Sequence, residues 1–115
     1  MAAVTLLVIT DGRPYIWETL PAALDVLGEH IGQLVIHDDS GNASHHDNLT
    51  RAFPDAEVVG HHRRYGYGEA IRAAWHHIRQ RGECDYVFHL EDDFVFDASP
   101  PVAGMNGPNR TAWRI

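Results

Sequence analysis

The chain has 115 residues, 44% of them hydrophobic and 22% charged, with a formal net charge of -7. That length suits a single domain with one modest core, and the acidic balance excludes a broadly basic surface for nucleic-acid phosphates, leaving only a local arginine cluster. All nine basic residues are arginine, which excludes a phosphate-loop, Schiff-base or receiver-type lysine, and the one cysteine, Cys84, excludes an internal disulfide and a four-cysteine zinc site.

The chain opens "MAAVTLLVIT", with no basic segment before the apolar run, and "VTLLVIT" (4–10) reads as a strand. No run approaches the ~20 apolar residues that span a bilayer, so the expectation is a soluble, cytoplasmic protein without a membrane span. The strand runs out into "TDGRP" (10–14). A helix follows, with Ile16, Leu20, Ala23, Leu24 and Leu27 on one face and Gly28 as its stop. Pro21 falls inside this pattern and predicts a kink or a restart.

The second strand, "QLVIH" (33–37), ends in "HDDSG" (37–41). A weaker helical segment over 43–53 stops before Pro54. The third strand, "AEVVG" (56–60), leads into "HHRRYGYG" (61–68). In "EAIRAAWHHIRQRG" the stripe Ile71, Ala74, Trp75 and Ile78 marks a helix that Gly82 ends. The fourth strand, "YVFHL" (86–90), runs into Glu91, Asp92 and Asp93. From Asp97 onward Pro and Gly dominate and periodicity is lost.

Alternation of strand and helix, with strands apolar on both faces, predicts an α/β fold. Its core is an open, mostly parallel sheet of about four strands with flanking helices and right-handed crossovers. The division is a domain over 1–97 and an irregular tail over 98–115. A strand edge left bare after the fourth strand would invite pairing with another chain, so a homo-oligomer, most simply a symmetric dimer, is expected.

In such sheets ligands bind beyond the carboxyl ends of the strands. The conspicuous polar groups of all four strand ends fall there. Clustered carboxylates repel and raise one another's pKa, and a divalent cation relieves the repulsion. Mg²⁺ and Mn²⁺ are often held by one or two carboxylates plus substrate phosphates, so an acidic rim of this kind can take a nucleoside diphosphate, with Arg63, Arg64 and Arg72 neutralising phosphate charge.

"VTLLVITDGRP", "QLVIHDDSG", "YGYGEAIRAAWHHI" and "YVFHLEDDF" resemble, in order and spacing over residues 3 to 97, the nucleotide half of GT-A fold glycosyltransferases, particularly inverting family 2. The resemblance implies a nucleoside diphosphate sugar as ligand and Mn²⁺ or Mg²⁺ as cofactor. It places Thr10 and Asp11 against the nucleoside, Asp39 as acceptor of a hydrogen bond from the base, and Arg72 near the base or phosphate. Asp92 and Asp93 match the end of the acidic motif, one approaching the ribose and the last holding the metal. Glu91 stands where the family often has Asp, so its substrate-binding role is open. Family members continue for about another domain-half, which supplies the acceptor site and catalytic base; the catalytic residues and acceptor are therefore unassigned.

Plainer readings stand beside these. The three acids at 91–93 suit a solvated turn, Asp38 and Asp39 suit a helix N-cap, and Arg72 suits a solvated helix face. Gly66 and Gly68 suit a turn rather than a phosphate loop. The paired histidines lack helical chelating spacing: neighbours on a helix point about 100° apart. Two functions remain: a metal-dependent glycosyltransferase, weakly active or inactive alone if shortened, or a non-catalytic nucleotide-binding or protein-interaction module derived from one.

Overall fold

The computed structural model describes residues 4–82, 84–93 and 112–114, the last three as backbone only. Its elements follow the predicted order: β1 (Val4–Thr10), α1 (Ile16–Leu27), β2 (Gln33–Asp38), α2 (Ala43–Ala52), β3 (Glu57–Gly60), α3 (Tyr67–Arg81) and β4 (Tyr86–Glu91). A short 3-10 turn, Gly28–His30, follows α1. A fifth strand, β5 (Ala112–Arg114), closes the series.

The sheet order is β3-β2-β1-β4-β5. The first four strands are parallel, with β1 in the middle: Val8 lies beside Ile36 on β2 and beside Leu90 on β4. Strand period 2 then sends alternate β1 residues to opposite faces. Leu6 and Val8 pack with Ile16, Leu20 and Ala23 of α1 and Leu49 of α2. Leu7 and Ile9 pack with Ala70, Ala74 and Ile78 of α3. This two-sided burial explains why the strand sequences are almost continuously apolar.

Two expectations change. Helix α1 is unbroken across Pro21, so the restart does not occur. Proline removes one intrahelical hydrogen bond, but Pro21 lies on the exposed face while Ile16, Thr19, Leu20 and Ala23 stay buried opposite. Their packing outweighs the local loss. The tail is also not irregular throughout: Ala112–Arg114 pairs antiparallel with Tyr86–Phe88. These residues follow the last proline, Pro108, so nothing in them forbids a ladder. They occupy the N-terminal half of the β4 edge, where a bare edge was expected. Residues 94–111, including the predicted boundary at 97, lie outside the described residues.

Ile36 is fully buried on the α1–α2 face. Ile36→Ala should lower unfolding stability by about 2–5 kcal/mol, measured by urea denaturation. An unchanged midpoint would contradict this core assignment.

Candidate functional site

The order β3-β2-β1-β4 places the topological switch between β1 and β4, the crevice where open α/β sheets bind ligands. Asp11 follows β1, Asp39 follows β2, Glu91 ends β4 and Asp92 follows it. With Ile9, Arg13, Arg64 and Tyr67, these four acids line one small polar pocket of about 60 Å³.

Arg13 holds the acids together, and each of its guanidinium nitrogens faces a different carboxylate. Nε donates to Asp11 Oδ1 at 2.9 Å, Nη2 donates to Asp92 Oδ1 at 2.8 Å, and Nη1 lies 3.8 Å from Asp93 Oδ2. The other Asp92 oxygen accepts from the Thr10 hydroxyl at 3.3 Å. Asp92 is only 2% exposed. Burial, with repulsion from Asp11, pushes its pKa up, and Arg13 opposes that rise. Burial acts on Asp11 in the same sense, but the backbone N–H and guanidinium of Arg13 outweigh it and hold Asp11 low. The hydrogen bond to Asp11 and the charge of Asp92 in turn raise Arg13. Arg64 Nη2 reaches Asp11 Oδ2 from the opposite loop at 3.4 Å.

Asp39 is held differently. Its oxygens accept from the backbone N–H groups of Tyr65 (2.7 Å) and Gly66 (3.1 Å), tying the 61–66 loop to β2. The helix N-cap is Asn42, not Asp38 or Asp39: its side chain accepts from Ser44 N and His45 N. Two glycines permit the close approach of the loops. Gly12, at φ +97°, would place a Cβ 3.0 Å from Ser40 Cβ. Gly41, at φ +65°, would place one 2.8 Å from Arg64 N. Beneath this loop the Tyr65 ring stacks on His61 at 3.9 Å, and the Arg63 guanidinium lies 4.5 Å from the Tyr65 ring centre. His61 Nε2 meets buried His37 Nε2 at 3.1 Å. Burial, then the charge of His61, pushes the His37 pKa down to about 4.

Of the residues predicted from sequence, Asp11, Asp39, Glu91 and Asp92 converge on the pocket. Thr10 is fully buried and turns to Asp92. Asp93 is exposed, its side chain 47% accessible. Glu91 accepts from the Tyr67 hydroxyl; that bond, burial and nearby acids push the Tyr67 pKa up to about 12. Arg72 is exposed on α3 and does not line the pocket. Of the three arginines expected there, only Arg64 lines the pocket; Arg13 adds a second positive charge, and Tyr67 the aromatic group. Arg13 had a signal, its place in "TDGRP"; nothing in sequence tied Tyr67 to Glu91, 24 residues away. No group of three or more His, Cys, Asp or Glu among the described residues is arranged to hold a metal ion.

The fold, an open α/β sheet with flanking helices, is glycosyltransferase-like. The structure of residues 1–349 of TarS from S. aureus matches with TM-score 0.59 and 17% identity, over 79% of this chain and 27% of that one. The same protein in complex with UDP matches with TM-score 0.59 and 16% identity, over 79% and 27%. Its complex with UDP-GlcNAc gives 0.58 and 18%, over 79% and 26%. The chain thus spans about a quarter of the length of these structures. No family model and no curated protein matches.

Two outcomes follow from the geometry. Unfolded, a histidine takes up its proton near pH 6.5; folded, His37 stays neutral to about 4. The folded state therefore binds fewer protons between those values, and stability falls as pH drops through that window. The slope is at most roughly 1.4 kcal/mol per pH unit. Asp38, Asp39, His61 and His77 also act on His37, so the test is the difference between the wild type and His37→Gln, whose stability curve should be flatter from pH 6.5 to 4. Separately, Gly41→Ala forces a side chain to positive φ against the Arg64 backbone and should cost more than about 1 kcal/mol, read as a lower thermal midpoint. An unchanged midpoint would mean that the two loops do not pack this closely.

Proposed function

We propose that this chain binds a nucleoside diphosphate sugar at the β1/β4 crevice, as the donor-binding part of a GT-A, family 2-like glycosyltransferase. The observation that carries the reading is convergence: polar residues from four strand ends meet in one pocket, in a fold shared with structures that hold UDP and UDP-GlcNAc. Asp11 and Asp39 face the nucleoside side. Carboxylates have about four acceptor positions, so Asp39 can accept from a base while keeping its two backbone donors. Arg13 and Arg64 supply planar donors suited to phosphate oxygens. Thr10 positions Asp92, and Tyr67 positions Glu91.

The donor set fits a divalent cation carried by Asp93, with Asp92 beside it and the remaining ligands drawn from phosphate oxygens and water. Asp93 is accessible, with Arg13 3.8 Å away. The cation, Mn²⁺ or Mg²⁺, would supply Lewis-acid stabilisation of the diphosphate leaving group. Sugar transfer also needs a general base for the acceptor hydroxyl, and none is assigned among the described residues. The activity proposed for the described residues is therefore donor binding.

Calorimetry with UDP tests the reading. Affinity should be at least tenfold higher with Mn²⁺ than with EDTA, and Asp93→Asn should remove most of the difference. Equal affinity under both conditions would exclude a bridging metal.

A further inference from the structure

A buried carboxylate needs a partner, and a cluster of them needs a cation. Here that cation is part of the chain. Arg13 sets one nitrogen against each of Asp11, Asp92 and Asp93, while Thr10 takes the remaining oxygen of Asp92. The ligand-free acids are thus already partly compensated, and those proposed to receive a metal face a guanidinium. A divalent ion arriving alone would meet this positive charge and would have to displace it.

Arg13 can also leave. Its side chain is 46% exposed, and it follows Gly12, whose φ of +97° belongs to a backbone region open mainly to glycine. The Tyr15 ring lies 5.4 Å from its guanidinium carbon, an aromatic face beside the exit. A diphosphate brings acceptor oxygens that match the guanidinium fork at least as well as a carboxylate does.

We propose that Arg13 is a resident counterion that reserves the carboxylate site, moving onto the diphosphate when it binds and so releasing Asp92 and Asp93 to the metal. This rests on the nucleotide-binding reading above and adds to it a mechanism of coupling: metal and nucleotide bind well only together. By linkage, each raises the affinity of the other by the same factor, and Arg13 sets that factor. Arg13 is a positioning residue for the metal and a direct contact for the phosphate.

The test is Mn²⁺ binding, followed by the electron paramagnetic resonance of free Mn²⁺, for the wild type, Arg13→Gln and Arg13→Lys, each with and without UDP. Wild type should bind Mn²⁺ weakly alone and at least tenfold more tightly with UDP. Arg13→Gln should bind Mn²⁺ alone at least tenfold more tightly than wild type, with a smaller gain from UDP. Added Mn²⁺ should raise its thermal midpoint but leave that of the wild type unchanged. Arg13→Lys keeps a charge on a stem that cannot face three carboxylates at once, and should shift the same way by less. It serves as the test if Arg13→Gln fails to fold. If neither variant binds Mn²⁺ better than wild type, while wild-type UDP binding still requires metal, the counterion role is overturned and the nucleotide-binding reading stands. If wild type binds UDP equally well with Mn²⁺ and with EDTA, metal-dependent binding fails and the counterion role fails with it.

Discussion

The site depends on one electrostatic constraint: carboxylates brought together at the carboxyl ends of parallel strands repel unless something positive lies among them. Arg13 meets it. The guanidinium is planar and permanently charged, with donors spread around its rim, so a single side chain can face Asp11, Asp92 and Asp93 at once. Lysine, a point charge on a flexible stem, would satisfy fewer of them. The arrangement lets Asp92 be almost wholly buried at the end of a strand whose neighbours are apolar.

A second constraint fixes the opposite wall. The 61–66 loop has no regular structure, yet it carries Arg64 into the pocket. The amides of Tyr65 and Gly66 anchor it on Asp39, and Tyr65 stacks on His61, which meets buried His37. Gly41 allows the backbones to approach. The pocket is therefore framed by short-range contacts between loops that the sheet has already brought to one rim, and its shape follows from the order of the strands.

The fold was legible because its signals are local. Near-continuous apolar runs marked the parallel strands, and 3.6-residue stripes such as Ile71, Ala74, Trp75 and Ile78 marked the helices. Where local rules compete with packing they misled: Pro21 suggested a break, yet the buried stripe of α1 carries the helix through it. The tail's composition concealed β5, because three residues past the last proline are too short a run to show a period. At the site, the acids at the strand ends were legible because open α/β sheets bind ligands there.

The sequence by itself determined which residues stand at the strand ends, since strand periodicity and turn chemistry act over a few neighbouring residues. It determined that Asp11, Asp39, Glu91 and Asp92 share a rim. Only the tertiary structure decided which charges meet. Arg13 and Asp92 are 79 residues apart in the chain and 2.8 Å apart in space; Arg72, which also had a claim on the ligand, is exposed and does not line the pocket. Charge pairing depends on distances of a few ångströms between side chains on different elements, and those distances are set by register, crossover and loop packing, which no local pattern encodes.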